Sequence, residues 1–212
     1  MAEKKYKKIV EHYENCLDEH GDNHKGVDWP NEEDVLSRYK VMLDVIREKE
    51  EPVSLLDFGC GAAHLLNYIQ NDKQLNQQIT YSGSDISQKF VELSQSKFPN
   101  NNFYLFDLLE DTSRVPQFDY IVMNGVFTEK RELSFDEMWQ YFQNMMCAIF
   151  KMTNKGVAFN VMSKAVDWER DDLFHLPADL LILFLTKELT RHFVIRNDYG
   201  LYEYTVYIYK KI

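Results

Sequence analysis

Short apolar runs alternate with segments of helical periodicity from residue 50 to the end of this 212-residue chain. The runs predict seven strands, at residues 53–57, 79–84, 103–106, 118–123, 156–161, 192–197 and 203–210. The segments between them predict helices at residues 62–70, 87–97, 134–152 and 177–190. This alternation is typical of a parallel sheet with helices on both faces. The sequence therefore predicts an α/β fold with a doubly wound, mostly parallel seven-stranded sheet.

The two ends of the chain depart from the alternation. The last two predicted strands are joined by a short turn that contains Gly200, so we expect a C-terminal antiparallel hairpin. Residues 1–50 show only helical spacing, with one helix near Tyr6–Leu17 and a second that begins at Pro30-Asn31. We expect an N-terminal helical cap or lid over residues 1–50 and an α/β domain over 51–212, together one structural domain.

Composition narrows the class of partner. The 24 basic and 34 acidic residues give a formal net charge of −10, which disfavours a broad surface for nucleic-acid phosphates. The longest apolar run, Leu180–Leu185, has six residues, whereas a bilayer span needs roughly 20. The basic segment Met1–Lys8 precedes no apolar stretch of signal-peptide length, and the three cysteines form no CxxC pair. We expect a cytoplasmic protein that binds neither nucleic acid nor membranes.

A glycine turn follows the first predicted strand, in Asp57-Phe-Gly59-Cys-Gly61. Glycine permits unusual backbone angles and the close approach of a ligand. Asp85 ends the second strand, 24 residues beyond Gly61, where a carboxylate can accept hydrogen bonds from both hydroxyls of a ribose. Asp107 ends the third strand. Because ligands of open α/β sheets bind at the carboxyl ends of the strands, we expect these residues to converge.

The residues around the glycines indicate the charge of the ligand. A pyrophosphate-binding turn has a third glycine and an open helix N-terminus, but His64 takes the place of that glycine and Asp57 precedes the turn. An acid here repels phosphate and favours an ammonium group. The expected ligand has a ribose and a positively charged amine without phosphates, which disfavours a NAD-dependent oxidoreductase.

The ordered motifs resemble those of the class I S-adenosylmethionine-dependent methyltransferases, which have a Rossmann-like fold. The resemblance rests on Asp57-x-Gly59-x-Gly61, on Asp85 and Asp107, on Phe118–Gly125 at the fourth strand and on the C-terminal hairpin, and it covers about residues 50–210. It implies S-adenosylmethionine as cofactor and S-adenosylhomocysteine as product.

The resemblance also implies which residues contact the cofactor. They are Asp57, Gly59, Gly61 and Arg38 at the methionine part, Asp85 and Ile86 at the ribose and adenine, Asp107 and Leu108 at the adenine edge, and Asn124 with Gly125 beside the sulfonium.

The acceptor pocket is expected beyond the strand ends, in residues 124–130, residues 163–175 and the N-terminal helices. Candidate acceptor contacts are Trp29, Phe127, Trp168, Phe174 and His175. Methyl transfer from a sulfonium depends mainly on positioning, and a base is needed only for a protonated nucleophile, so the catalytic residue stays open. Asn124-Gly-Val-Phe127 differs from the Asn-Pro-Pro-aromatic motif, which disfavours amino methylation of DNA or glutamine. We expect a small-molecule acceptor, with a peptide or protein group as the alternative, and a monomer or homodimer.

Two other hypotheses stay open at this point. The chain could be a methyltransferase-like cofactor-binding or regulatory module that acts with a partner chain and has no catalysis of its own. Separately, His12, Cys16, His20 and His24 recur at four-residue intervals, a spacing that can bind zinc on a helix. The helix carries many acids and no second ligand cluster is apparent, so we predict a solvated face and no metal.

Overall fold

In the computed structural model, which describes residues 5–48, 50–110 and 116–211, one mixed sheet runs through the molecule. Its strands are β1 (Val53–Phe58), β2 (Ile79–Asp85), β3 (Asn102–Leu105), β4 (Phe118–Met123), β5 (Thr153–Ser163), β6 (His175–Leu176), β7 (Phe193–Arg196) and β8 (Glu203–Tyr209). The helices are α1 (Lys7–His20), α2 (Glu32–Leu43), α3 (His64–Asn71), α4 (Lys73–Gln78), α5 (Gln88–Lys97), α6 (Phe135–Met152) and α7 (Ala178–Phe184). Residues 1–4 of the predicted cap lie outside the described residues.

The strand order is β3-β2-β1-β4-β5-β8-β7. Strands β1 to β5 are parallel to one another, and β8 is antiparallel to both β5 and β7. The predicted α/β class and its antiparallel C-terminal hairpin are therefore confirmed. The two-residue strand β6, which pairs with the end of β5, was not predicted because two residues carry no periodicity. The chain reverses its direction across the sheet between β1 and β4, the place where such folds bind ligands.

The helices differ from the prediction at two places. Helix α3 begins at His64 because Ala63 is left-handed, with φ of 55°, and the Asp72 side chain then caps a separate short helix, α4, that was not predicted. Near the C-terminus, α7 continues as a π-helical turn over Leu185–Leu189 instead of a single helix. Among the described residues, no helix is both long and apolar enough to cross a membrane.

Apolar layers cover both faces of the sheet. Leu56 and Ile121 pack in the layer that contains α6, whereas their chain neighbours Leu55 and Val122 pack in the layer that contains α2 and α3. All four side chains are fully buried. Successive residues of a strand point to opposite faces, so a strand that is covered on both sides must be apolar throughout.

Two predicted acceptor contacts belong to this core and are corrected here. Phe127 and Phe174 are fully buried. The Phe127 ring lies 4.8 Å from that of Phe142, and the Phe174 ring lies 5.4 Å from that of Phe135, both measured between centroids. These rings close the end of the layer beneath α6, so neither side chain is available to an acceptor.

Phe142 is the centre of the aromatic packing in this layer. Its fully buried ring contacts those of Trp139, Phe159 and Phe184. We expect Phe142→Ala to lower the free energy of unfolding by about 3–5 kcal/mol, because the cavity left behind adds to the lost transfer energy. Urea denaturation measures this change. Leu183→Ala, at a side chain that is half exposed, should change it by less than about 0.5 kcal/mol; equal losses in the two variants would contradict the expectation.

Candidate functional site

The turn between β1 and α3 is bonded to the end of β2. The N–H groups of Gly59 and Cys60 both donate to the Ser84 carbonyl, at 2.8 and 2.9 Å, and the Gly61 N–H donates to Oδ2 of Asp85 at 2.9 Å. Gly59 has φ of 75°, and a Cβ built there would lie 2.7 Å from Cγ2 of Val126. The turn therefore excludes a side chain at Gly59 on both conformational and steric grounds.

A cavity of about 140 Å³, termed the first cavity, opens at this turn. Six of the predicted cofactor residues line it: Asp57, Gly59, Gly61, Asp85, Ile86 and Asn124. They come from the ends of β1, β2 and β4, which are adjacent parallel strands. Gly125, predicted beside the sulfonium with Asn124, also lines the cavity. The structure thus brings together residues that span nearly 70 positions of the sequence.

One buried acid, Asp57, and one partly buried acid, Asp85, face the first cavity. Asp57 is 3% exposed and accepts a hydrogen bond of 2.8 Å from the Tyr81 hydroxyl. Burial raises the pKa of Asp57 to about 7, and the nearby charge of Asp85 adds to the shift. Burial also raises the pKa of Asp85 to about 6, although the N–H groups of Ser87 and Gly61 donate to its carboxylate and oppose the shift. Both carboxyls therefore change charge close to neutral pH.

Asp107 and Leu108 line a smaller neighbouring cavity of about 70 Å³, which shares Asp85 and Ile86 with the first cavity. Leu108 is 1% exposed, and Oδ2 of Asp107 accepts a hydrogen bond of 2.6 Å from the Tyr6 hydroxyl. The carboxylate predicted at the adenine edge therefore already has a partner in the N-terminal cap.

Helix α1 lies across the carboxyl ends of the strands. The Tyr13 hydroxyl donates to the Gly125 carbonyl at 3.4 Å, and Glu14 accepts a hydrogen bond from Ser87 at the start of α5. Lys89 on α5 forms an ion pair with Asp18 on α1. This is the position expected for the predicted helical lid.

Arg38, predicted at the cofactor carboxylate, does not line the first cavity. Its guanidinium forms an ion pair with the almost fully buried Glu203 of β8, with Nη2 2.9 Å from Oε2, and lies 4.1 Å above the Trp29 ring. The Nη1 atom of Arg38 is buried and has no hydrogen-bond partner among the described residues. Arg38 therefore lies outside the first cavity, on the face of the Trp29 ring, and its Nη1 donor makes no hydrogen bond to the described residues.

A buried amide connects this ion pair to the loop after β4. Asn160 on β5 donates from Nδ2 to Oε1 of Glu203 at 2.9 Å, and its Oδ1 accepts the Gly125 N–H at 2.8 Å. A Cβ at Gly125 would lie 2.8 Å from the Trp29 ring. Sequence reasoning missed Asn160 and Glu203, although a polar residue within an apolar strand is a signal that could have found Asn160.

A second, larger cavity of about 710 Å³ adjoins the first. Trp29 and Trp168, two predicted acceptor contacts, line it together with Glu129. Trp168 is 73% exposed. Tyr13 and Trp29 line both cavities and form the boundary between them.

His175 is corrected as an acceptor contact. It is 5% exposed in β6, where Nδ1–H donates to the Ser163 carbonyl at 2.6 Å and Nε2 accepts the Arg170 N–H at 3.2 Å. A carbonyl can only accept and an N–H can only donate, so these two bonds require a neutral ring. Both ring nitrogens therefore hold residues 163–175 in place and neither is free for an acceptor.

Glu129 is a functional candidate that the sequence reasoning missed. It is 6% exposed, and its Oε2 lies 2.9 Å from Nε of Arg131. That contact is not aligned as a hydrogen bond, so neither atom has a hydrogen-bond partner among the described residues. Burial raises the pKa of Glu129 to about 7, although the charge of Arg131 opposes the shift. In the sequence it resembles any exposed acid after a strand.

The spaced histidines do not assemble as a set. His12, Cys16 and Asp28 place one ligand atom each within 4.8 Å of one another, but Nδ1–H of His24 donates to the Trp29 carbonyl at 2.6 Å. The Arg131 guanidinium contacts both His12 and Asp28. A permanent cation thus takes the position between these groups, which is the arrangement of an ion-pair cluster.

Comparisons with known proteins agree with this geometry. A family model described as a methyltransferase domain matches residues 56–148. A protein of Mycobacterium tuberculosis that bears the name of a methyltransferase is 26% identical over 163 residues, which cover 76% of this chain and 95% of that protein.

Solved structures share the fold at low sequence identity. Magnesium protoporphyrin IX methyltransferase from Synechocystis PCC 6803, solved with bound S-adenosylhomocysteine, is 14% identical with a TM-score of 0.65, over 97% of this chain and 100% of that one. The plantazolicin methyltransferase BpumL, solved with a desmethyl substrate analogue and S-adenosylhomocysteine, is 14% identical with a TM-score of 0.62, over 100% of this chain and 93% of that one.

The matched residues 56–148 contain the glycine turn, the acids at the ends of β2 and β3 and the loop after β4, and therefore most of the first cavity. This segment is therefore similar to a methyltransferase domain, and the fold of the whole chain is similar to those of the solved methyltransferases described above.

Proposed function

We propose that the chain transfers the methyl group of S-adenosylmethionine to a small molecule, with the cofactor in the first cavity and the acceptor in the second. The observation that carries this proposal is the shared boundary of the two cavities at Tyr13 and Trp29, beside Gly125. A methyl group can pass between two ligands only where their sites meet. The solved relatives were crystallised with S-adenosylmethionine or its demethylated product, which supports the cofactor.

The residues of the first cavity fit this cofactor. Asp57 and Asp85 offer negative charge to a ligand that carries a sulfonium and an ammonium group. Each oxygen of Asp85 accepts one backbone N–H, which leaves lone pairs for ribose hydroxyls. The Oδ1 atom of Asn124 is buried without a partner among the described residues, so it can accept a hydrogen bond from a bound ligand.

The second cavity fits a small acceptor. Its volume of about 710 Å³ lies within the range of about 300–1,000 Å³ typical of small-molecule sites. The two solved relatives described above are named for a magnesium porphyrin and for plantazolicin. A peptide or protein group is the alternative acceptor, since exposed side chains such as Trp168 and Tyr202 line the open side.

The chain's own contribution is positioning. The cofactor, when bound, supplies a methyl group that is already activated by positive sulfur. Tyr13 and Trp29 restrict the passage between the cavities, and the Asn160 bond fixes the Gly125 loop that faces it. Holding the nucleophile on the axis of displacement can lower the barrier by roughly 7–11 kcal/mol.

Asp85→Asn tests the cofactor site. We expect the affinity for S-adenosylmethionine and for S-adenosylhomocysteine to fall by roughly 10- to 100-fold, because charge-assisted hydrogen bonds become neutral ones. Isothermal titration calorimetry measures both ligands. Asp179→Asn, on the exposed first turn of α7, should leave both affinities unchanged. Unaltered binding by the Asp85 variant would contradict the assignment, and binding without turnover in the wild type would favour a module that needs a partner chain.

The raised pKa values predict a pH dependence of cofactor binding. At pH 5.5 the carboxyls of Asp57 and Asp85 are mostly protonated, and at pH 7.5 both are mostly ionised, since their pKa values are about 7 and about 6. A cationic ligand favours the ionised forms, so we expect S-adenosylmethionine to bind roughly tenfold more tightly at pH 7.5. Asp57→Asn should remove most of this dependence. Calorimetric titrations at the two pH values measure it, and equal affinities in the wild type would contradict it.

A further inference from the structure

A buried carboxylate without an aligned hydrogen bond stands in the wall of the acceptor cavity. Glu129 is 6% exposed, and its Oε2 atom lies 2.9 Å from Nε of Arg131 but has no aligned hydrogen bond among the described residues. Leaving a buried charged group unsatisfied is costly, so such a group points to a ligand that completes it. An ammonium group has three hydrogen-bond donors and a full positive charge, so it would give the carboxylate both a hydrogen bond and a compensating charge.

We propose that the acceptor is an amine, bound in the second cavity as its ammonium ion by Glu129, which then takes the proton that must leave before methyl transfer. This inference rests on the proposed function and adds to it the chemical class of the acceptor and a residue that contacts it. Three further observations support it.

The first observation is the charge balance around Glu129. The charged groups close enough to influence it are the carboxylates of Asp28 and Asp172 and the guanidiniums of Arg131 and Arg170. Three carboxylates, including Glu129 itself, thus face two guanidiniums. One further positive charge would balance this cluster, and a neutral or anionic acceptor would not supply it.

The second observation is the balance of acidic and basic residues in the whole lining of the second cavity. Five acids line it, Asp28, Asp34, Glu129, Asp167 and Glu203, against three permanent cations, Lys25, Arg38 and Arg170. Arg38 and Glu203 already neutralise each other in an ion pair. The remaining four acids face Lys25, Arg170 and Arg131, which contacts Asp28 and Glu129 from outside the lining, so one negative charge is left over and favours a positively charged ligand.

The third observation is the aromatic content of the same lining. Tyr13, Trp29, Trp168 and Tyr202 all line the second cavity. Trp168 and Tyr202 are 73% and 64% exposed, so their rings are accessible to a ligand in this cavity. The faces of tryptophan and tyrosine rings attract ammonium groups.

Glu129 also lies close to the boundary of the two cavities. The neighbouring Thr128 donates from Oγ1 to the Gly125 carbonyl at 3.0 Å, and the Tyr13 hydroxyl contacts the same carbonyl. The carboxylate is therefore on the acceptor side of the passage between the cavities. With a pKa of about 7, raised by burial, it can both pair with an ammonium ion and accept a proton from it.

The proposed step conserves atoms and electrons. An N–H bond of the ammonium ion breaks, the proton passes to the Glu129 carboxylate, and the nitrogen keeps the electron pair. That pair forms the new N–C bond as the C–S bond breaks, and the electrons of the C–S bond remain on sulfur as a neutral thioether. The product leaves as a protonated secondary amine, and Glu129 returns its proton to water.

Calorimetry on the protein saturated with S-adenosylhomocysteine tests the acceptor class with three probes of similar shape: 2-phenylethylamine, 2-phenylethanol and 3-phenylpropionate. We expect the amine to bind at least tenfold more tightly than the alcohol and the carboxylate to bind least. Glu129→Gln should remove the preference for the amine. Glu132→Gln, an exposed neighbour that does not line the second cavity, should retain it.

A second readout isolates the protonation of Glu129. At pH 7, amine titrations in two buffers of different ionisation enthalpy should show release of about half a proton, because Glu129 is about half protonated before the ammonium ion binds. The Glu129→Gln variant should release none. A merely structural role for this residue would not change proton release.

Several results would overturn the proposal. They are equal or tighter binding of the alcohol or the carboxylate, an amine preference that survives in Glu129→Gln, and no binding of any probe at roughly 10 mM, where even a millimolar site would be largely filled. Normal S-adenosylhomocysteine binding in each of these cases would leave the proposed cofactor site intact. Loss of that binding in the wild type would instead overturn the proposed function itself, and this inference with it.

Discussion

The bonding of the β1–α3 turn to the end of β2 is the constraint on which the site depends. Two successive N–H groups, of Gly59 and Cys60, share the Ser84 carbonyl, and the next N–H, of Gly61, reaches Asp85. These bonds satisfy backbone donors that would otherwise be orphaned beside a cavity. They also fix Asp57 and Asp85 at the ends of adjacent strands, 28 positions apart in the sequence, and they depend on glycine at position 59 and on the carboxylate at position 85.

A second constraint joins the antiparallel edge of the sheet to the loop that faces the cavities. Glu203 on β8 is 1% exposed, a position that a carboxylate tolerates only with full compensation. Arg38 supplies the positive charge, and Asn160 donates a hydrogen bond to the carboxylate. The Oδ1 atom of Asn160 also accepts the Gly125 N–H, so the same side chain holds the loop after β4. The buried ion pair of Arg38 with Glu203 therefore joins the helical cap to the C-terminal hairpin, together with the hydrogen bonds from the Tyr207 and Tyr209 hydroxyls to the carbonyls of Val41 and Val45.

The fold and the convergence of Asp57, Asp85 and the glycine turn on one cavity were predictable from sequence because their signals are local. Strand and helix periodicity is read within about ten residues, and the glycine turn with Asp57 marks its strand end directly. The direction of a side chain in a long loop depends on residues that are distant in the sequence. Phe127 and Phe174 pack inward because the layer beneath α6 has room for their rings, whereas Trp168 stays exposed, and nothing in the adjacent sequence distinguishes these cases. Glu129 was missed for the same reason, since its burial depends on residues 163–175 closing over the β4 loop.

Buried acids whose pKa values lie near neutrality also bear on the release of product. Ionised Asp57 and Asp85 are stabilised by a positively charged neighbour and destabilised by its loss, because burial disfavours the carboxylate form. Methyl transfer removes the positive charge from sulfur, so in the proposed reaction these acids face a ligand with a sulfonium and an ammonium group before the step and with the ammonium group alone after it. The loss of one positive charge favours the protonated carboxyls, and the electrostatic contribution to ligand binding falls at the moment when the ligand must leave. In the proposed reaction, the burial that favours a cationic cofactor therefore also weakens the binding of the product.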